Sequence, residues 1–139
     1  MPRAHTLTQN VLQEALEKGD FPKAIADYDQ AIASDPKFAN AYNNRGKAYV
    51  NAGDLDRALA DFNEAIALYP AHTVAYGNRA ELYTKRGDFD HAIADYDRII
   101  EINPKLQQAY MNRSNVYFKN RRFASGVLSF FQGTMAKQK

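Results

Sequence analysis

The sequence predicts an all-α fold of about four antiparallel helix-turn-helix repeats, each 34 residues long. One observation behind this prediction is a strict period, since Pro36, Pro70 and Pro104 lie 34 residues apart and other residue types recur in the same register. A second observation is that the apolar residues inside each unit follow the spacing of one face of a helix. Such units bury little surface alone, so we expect them to stack.

The repeated positions are mainly aromatic or small. Small side chains let two paired helices approach closely, and aromatic rings fill the space beside them. The first helix of a unit carries two tyrosine positions and a small position, and the second carries a small position and an aromatic one. The members are Tyr42, Tyr76 and Tyr110; Tyr49, Tyr83 and Tyr117; Gly46, Ala80 and Ser114; Ala24, Ala58, Ala92 and Gly126; and Tyr28, Phe62, Tyr96 and Phe130.

Gly-Asp pairs and prolines mark where the helices begin and end. Glycine commonly follows the last turn of a helix, aspartate is a good N-cap, and proline cannot continue the backbone hydrogen bonds. The pair occurs at Gly19-Asp20, Gly53-Asp54 and Gly87-Asp88, whereas Arg121-Arg122 stands at this point of the fourth unit. The predicted helices cover about 6–18, 22–34, 39–51, 55–67, 73–85, 89–101, 107–119 and 123–136.

Length and composition fit a single domain in an aqueous compartment. The 139 residues accommodate one domain with repeats at about 5–38, 39–72, 73–106 and 107–139, of which the first and last are atypical. No stretch approaches the roughly 20 apolar residues of a membrane span. The N-terminal residues lack the apolar segment of a signal peptide. We therefore expect a cytoplasmic location and no membrane insertion.

The sequence offers little for catalysis. It has no cysteine, and His5, His72 and His91 show no metal-ligand spacing. We find no glycine-rich phosphate loop and no nucleophile signature. The expectation is a protein that is not an enzyme and carries no metal or cofactor, although it could be the recognition arm of a larger enzyme.

Charge is distributed unevenly along the chain. Residues 1–104 carry 11 basic and 16 acidic residues, whereas residues 105–139 carry 7 basic residues and no acidic one. The acidic repeats would repel nucleic acid, so no nucleic-acid partner is expected. The complementary signs of the two parts also allow head-to-tail assembly into a homo-oligomer through the termini. Another alternative is that the chain is part of a longer array.

Two segments resemble the tetratricopeptide repeat family. Residues 41–46, Ala-Tyr-Asn-Asn-Arg-Gly, and residues 75–80, Ala-Tyr-Gly-Asn-Arg-Ala, look like the first helix of that repeat. The Gly-Asp-aromatic segments followed by alanine and aromatic residues look like the second. The resemblance implies a right-handed α-solenoid superhelix whose first helices line a concave face. It also implies a protein-protein interaction scaffold that binds a peptide or a segment of a partner protein in this groove.

The resemblance assigns the groove residues. An asparagine recurs in every unit, and its amide can both donate to and accept from an extended peptide backbone. The O-linked N-acetylglucosamine transferases carry a similar asparagine ladder. The alternative is that these amides cap or bridge backbone groups between hairpins. The ladder is Asn10, Asn44, Asn78 and Asn112, and its neighbours on the predicted concave face are Asn40, Asn43, Lys47, Glu81, Lys85, Gln108, Met111, Asn115 and Lys119.

One known mode of recognition in the family does not fit. Some members grip the C-terminal carboxylate of chaperone tails with Lys, Asn, Asn, Lys and Arg. These five residue types can be aligned with this sequence in two registers that differ by one repeat. Only one position matches in each, Asn44 in the first and Asn78 in the second. We therefore do not expect chaperone tails to be bound by that mechanism, and whether the partner offers a peptide or a folded surface stays open.

Two charged columns predict ion pairs between repeats. One column is Asp27, Asp61 and Asp95, and the other is Arg45, Arg79 and Arg113. The first unit has Asp27 but Val11 at the arginine position, and the fourth has Arg113 but Ser129 at the aspartate position. Pairing inside each unit would leave one charge at each end without a partner, so we expect pairing across units. The predicted pairs are Asp27 with Arg45, Asp61 with Arg79 and Asp95 with Arg113.

Overall fold

A computed structural model describes the backbone of residues 19–137 and the side chains of residues 19–122. Within this part the chain forms six α-helices and no strand, so the all-α repeat fold is confirmed. The five described helices that precede residue 103 match their predicted bounds within one residue. The predicted helix at about 6–18 and Asn10 lie outside the described residues. The helices are α1 (Phe21–Ser34), α2 (Ala39–Ala52), α3 (Leu55–Leu68), α4 (Thr73–Lys85), α5 (Phe89–Ile102) and α6 (Gln107–Lys137).

The turns between paired helices follow the predicted Gly-Asp pattern. Gly53 ends α2 with a left-handed φ of 87°, a conformation that costs glycine little because it has no Cβ. The carboxylate of Asp54 then accepts from the backbone N–H of Arg57 at 3.2 Å and caps α3. Gly19 and Gly87 share the left-handed conformation. The Gly-Asp pair thus closes a tight turn between antiparallel helices.

The fourth unit departs from the prediction. We expected separate helices at about 107–119 and 123–136, but α6 runs without a break through Gln107–Lys137. The physical reason lies at Arg121 and Arg122. Arginine is a good helix former and does not favour the left-handed conformation, and no aspartate is present to cap a new helix. The helix therefore continues where the other units turn.

Consecutive helices pack side by side, and the core lies between them. The pairs α2–α3 and α4–α5 form antiparallel hairpins, α1 packs on α2, and α6 packs on α5. At the first hairpin a Cβ on Gly46 would lie 2.6 Å from Cε1 of the fully buried Phe62. The missing side chain is what lets α3 approach α2 this closely. In addition, α2 contacts α4, which brings the first helices of two hairpins together.

No helix within the described residues is both long and apolar enough to cross a membrane.

Candidate binding surface

Arg45 on α2 joins three helices. Its Nε and Nη2 donate to Asp61 on α3 at 2.8 and 2.7 Å, and its Nη1 donates to Asp29 on α1 at 2.8 Å. The Asp61 side chain is only 7% exposed, and its hydrogen bonds raise the pKa of Arg45 above the ordinary value. The rings of Tyr42 and Tyr49 flank the guanidinium at 5.5 and 5.8 Å. This arginine therefore fixes both its own hairpin and the preceding helix.

The same arrangement recurs one repeat later at Arg79 on α4. Its Nε and Nη2 donate to Asp95 on α5 at 2.9 and 2.6 Å, and its Nη1 donates to Oδ1 of Asn63 on α3 at 2.9 Å. The rings of Tyr76 and Tyr83 lie 5.4 and 5.8 Å from the guanidinium carbon. The tyrosine columns thus do more than fill space, because they also hold the arginine in place by cation–π contact.

These contacts correct the predicted pairing of the charged columns. The pairs Asp27–Arg45, Asp61–Arg79 and Asp95–Arg113 are wrong, because Asp61 and Asp95 bind the arginine of their own hairpin. Pairing across units follows only if each arginine has one partner, whereas a guanidinium has five N–H donors and can bind two groups at once. Links to the preceding hairpin do exist, but they use other residues. The acceptors on the preceding helix are Asp29, Asn63 and Asp97.

Arg113 on α6 has a reduced version of this contact set. Its Nη1 donates to Asp97 on α5 at 2.8 Å, and its guanidinium lies 5.5 Å from the ring of Tyr110. The position that supplies the buried aspartate in the other hairpins is Ser129, whose side chain lies outside the described residues. Among the described residues Arg113 is therefore tied to the preceding hairpin only.

A cavity of about 100 Å³ lies between α2 and α4, the first helices of two consecutive hairpins. Four residues of the predicted binding surface meet around it, namely Lys47, Asn78, Glu81 and Lys85. Apolar side chains form another part of the lining. The full lining is Lys47, Val50, Asn51, Phe62, Asn78, Glu81, Leu82 and Lys85. The lining therefore combines two ammonium groups, one carboxylate and two amides with three apolar side chains.

The asparagine ladder is partly used inside the fold. Nδ2 of Asn78 donates to Oδ1 of Asn43 at 2.8 Å, across the contact between α4 and α2. Asn43 is only 3% exposed, which corrects the expectation that it contacts a ligand. Its side chain instead bridges two hairpins through the amide of Asn78, whereas the alternative left open by the sequence has the ladder amides cap or bridge backbone groups. Since this bond uses the Nδ2 of Asn78, the carbonyl oxygen of Asn78 stays available beside the cavity.

Asn112 does not make the bond between hairpins that Asn78 makes, and the reason is local. One repeat after Asn43 stands Gly77, which has no side chain to bridge with Asn112. Oδ1 of Asn112 accepts instead from Nε2 of Gln108 on the same helix at 2.8 Å. Asn44 is half-buried, and its amide makes no hydrogen bond to another side chain or backbone group of residues 19–122.

The remaining predicted surface residues lie at accessible positions. Met111 is 60% exposed. Asn40 is exposed, but its Oδ1 is engaged by a histidine. The other exposed residues of the predicted set are Lys47, Glu81, Lys85, Gln108, Asn115 and Lys119.

Sequence reasoning missed the role of His72. This residue is 6% exposed and is the N-cap of α4, where its Nδ1 accepts from the backbone N–H of Ala75 at 3.2 Å. Its Nε2 donates to Oδ1 of Asn40, at the start of α2, at 2.9 Å. Both contacts are satisfied by the neutral tautomer with hydrogen on Nε2. The only signal in the sequence was that position 72 immediately precedes a predicted helix, and histidine is an uncommon cap.

Residues 19–122 contain no group of three or more His, Cys, Asp or Glu side chains placed to hold a metal ion.

Sequence comparison identifies the family. The profile of the tetratricopeptide repeat matches residues 12–73, 44–106 and 78–134 in overlapping pieces. The chain belongs to the tetratricopeptide repeat family. No curated protein matches the chain significantly in sequence.

Solved tetratricopeptide repeat (TPR) domains share this fold. The first TPR domain of human RPAP3 has a TM-score of 0.78 at 24% identity, over 90% of this chain and 96% of that one. The first TPR of Spaghetti (RPAP3), bound to the HSP90 peptide SRMEEVD, has a TM-score of 0.75 at 24% identity, over 82% and 90% of the two chains. The second TPR domain of human RPAP3, in complex with the HSP70 peptide SGPTIEEVD, has a TM-score of 0.72 at 24% identity, over 79% and 92%.

The two carboxylates that bind Arg45 should differ in their effect on stability. Asp61→Asn leaves the half-buried guanidinium without its hairpin carboxylate, so the free energy of unfolding should fall by about 3 kcal/mol or more. Asp29→Asn makes the same chemical change at a position that is 53% exposed, and should cost less than about 1 kcal/mol. Urea denaturation at neutral pH measures both. Equal losses in the two variants would contradict the dominant role of the hairpin carboxylate.

Acidification should weaken the cap of α4. Burial lowers the pKa of His72 below its ordinary value of 6.5, so the unfolded chain takes up the proton first as pH falls. The contribution of neutral His72 to stability is complete above pH 6.5 and is lost as pH drops through the lower native pKa. His72→Asn keeps a capping oxygen and cannot titrate. The free energy of unfolding should therefore fall more between pH 7 and pH 5 in the wild type than in His72→Asn, and parallel pH profiles would refute this account.

Proposed function

We propose that the chain is a non-catalytic binding module that holds an extended segment of a partner protein across α2 and α4. The observation that carries this proposal is the cavity shared by the two helices. It lies at the contact between consecutive hairpins, so a ligand seated there touches both repeats. An extended segment can cross from one helix to the next and meet a new repeat every few residues.

The size and lining of the cavity indicate what it accepts. At about 100 Å³ it is smaller than the roughly 150 Å³ cavity that holds benzene, and far smaller than the roughly 300 Å³ or more of a small-molecule site. It is suited to one aliphatic side chain packed against Val50, the partly exposed apolar residue of the lining. The carbonyl oxygen of Asn78 can accept a backbone N–H from the same segment. These features favour a peptide over a cofactor.

The charges around the cavity favour an acidic segment. Lys47 and Lys85 approach it from α2 and α4, and Glu81 supplies one opposing charge. Lys119, one repeat after Lys85, continues the positive column on α6. We infer that acidic side chains flank the aliphatic one in the partner. The peptides named with the RPAP3 domains, SRMEEVD and SGPTIEEVD, have this acidic-aliphatic character, which supports the same general class of ligand without implying the same partner.

Reversing the charge of the two lysines that line the cavity should abolish the preference for acidic peptides. An array of nine-residue peptides with one central aliphatic residue and varied flanking charge provides the probes, and fluorescence anisotropy gives the affinity of the best binders. Lys47→Glu combined with Lys85→Glu should weaken the best acidic peptide at least about tenfold, because charge-assisted hydrogen bonds are worth roughly 1.5–3 kcal/mol.

Lys23→Glu is the matched control, because Lys23 is exposed on α1 and does not line the cavity. The control should bind the acidic peptide like the wild type. The proposal is overturned if no peptide on the array binds, or if the control and the double variant lose affinity equally.

A further inference from the structure

One face of α6 is left uncovered although the same face of α2 and α4 is packed. Tyr110 is 39% exposed and Tyr117 is 52% exposed, whereas Tyr76, one repeat before Tyr110, is 9% exposed. Ser114 between them is also exposed, whereas Ala80, one repeat earlier, is fully buried. We call Tyr110, Ser114 and Tyr117 the open hairpin face.

The course of the chain explains why this face is open. In α2 and α4 the corresponding face is covered by the second helix of the same hairpin. The segment that would cover α6 is residues 123–137, which instead prolong α6 along its axis. At 1.5 Å per residue, position 130 lies roughly 24 Å beyond position 114, so this segment does not return to cover the face.

Residues 123–137 nevertheless have the sequence of a covering helix. Gly126 stands in the register of Ala58 and Ala92, and Phe130 stands in the register of Phe62. In the first hairpin the Phe62 ring packs directly on Gly46, which corresponds to Ser114. The chain thus carries both halves of a matching helix pair, and it lacks only the turn that would join them within one molecule.

We propose that the open hairpin face is covered by residues 123–137 of a second copy of this chain. A second copy is the occupant that the sequence register favours, since its segment has the small and aromatic positions that pair with this face elsewhere in the fold. The exchange replaces an intramolecular hairpin contact by the same contact between molecules. It is independent of the proposed peptide site, which lies between α2 and α4.

The nature of the contact separates this assembly from a head-to-tail one. Residues 105–139 carry no acidic side chain, so the exchanged contact rests on aromatic and aliphatic packing and gains nothing from opposite charges. Assembly driven by the acidic repeats and the basic end would dissociate in high salt. The exchanged assembly should persist there.

Crosslinking between two differently labelled copies tests the exchange directly, because the chain has no cysteine of its own. One copy carries Ser114→Cys and the other carries Phe130→Cys, and a short bismaleimide joins thiols that lie close together. A covalent dimer is expected only in the mixture, and not with either variant alone. In the double variant Ser114→Cys with Phe130→Cys, crosslinking within one chain at the expense of crosslinking between chains would overturn the proposal.

Restoring the turn should remove the need for a second copy. Arg121→Gly combined with Arg122→Asp recreates the Gly-Asp pair of the other repeats, and the mass from light scattering at 0.5 M salt should fall from a dimer or larger assembly to a monomer. The matched control, Arg121→Ala with Arg122→Ala, removes the same charges but preserves the helix, and should stay assembled. Circular dichroism verifies folding of each variant, and a wild type that is monomeric at high protein concentration contradicts the proposal.

Discussion

The stack of hairpins depends on one repeated contact, an arginine held by a buried carboxylate. At Arg45 the buried Asp61 fixes the second helix of the hairpin, and Asp29 fixes the helix before it. Two tyrosine rings confine the guanidinium between these acceptors. A buried charge without its partner is costly, so the contact penalises any other register of the helices. A similar set of contacts recurs at Arg79, where Asp95 fixes the second helix of the hairpin and Asn63 links the hairpin to the preceding helix.

The candidate binding surface is a consequence of that register. Lys47 and Lys85 belong to different hairpins, and they line one cavity because α2 and α4 are held side by side. The hydrogen bond between Asn78 and Asn43 adds a second link across the same contact. A surface built in this way spans two consecutive hairpins. That arrangement fits the extended protein segment that we propose as the ligand, because such a segment can contact both repeats.

Much of the fold could be predicted from the sequence because the relevant signals are local. The left-handed glycine and the capping aspartate act within a few residues, so α1 to α5 were placed within one residue. The prediction of a helix break near residue 120 is wrong. It rests on the 34-residue period alone, whereas Arg121 and Arg122 provide neither a left-handed glycine nor a capping aspartate. The ion pairs and the burial of Asn43 could not be predicted in the same way. They depend on how many partners a guanidinium takes and on which side chain enters the contact between hairpins.

Local turn chemistry decides whether a repeat closes into a hairpin, and the last one stays open. The most direct measurement is the distance between spin labels on Gln107→Cys and Lys137→Cys within one chain, diluted with unlabelled protein so that only intramolecular pairs contribute. A continuous α6 predicts a separation of about 45 Å between the two labelled backbone positions. A closed hairpin brings the same positions to within about 20 Å, given interhelical spacings of roughly 8–10 Å. A distance distribution centred on the short value would contradict the account.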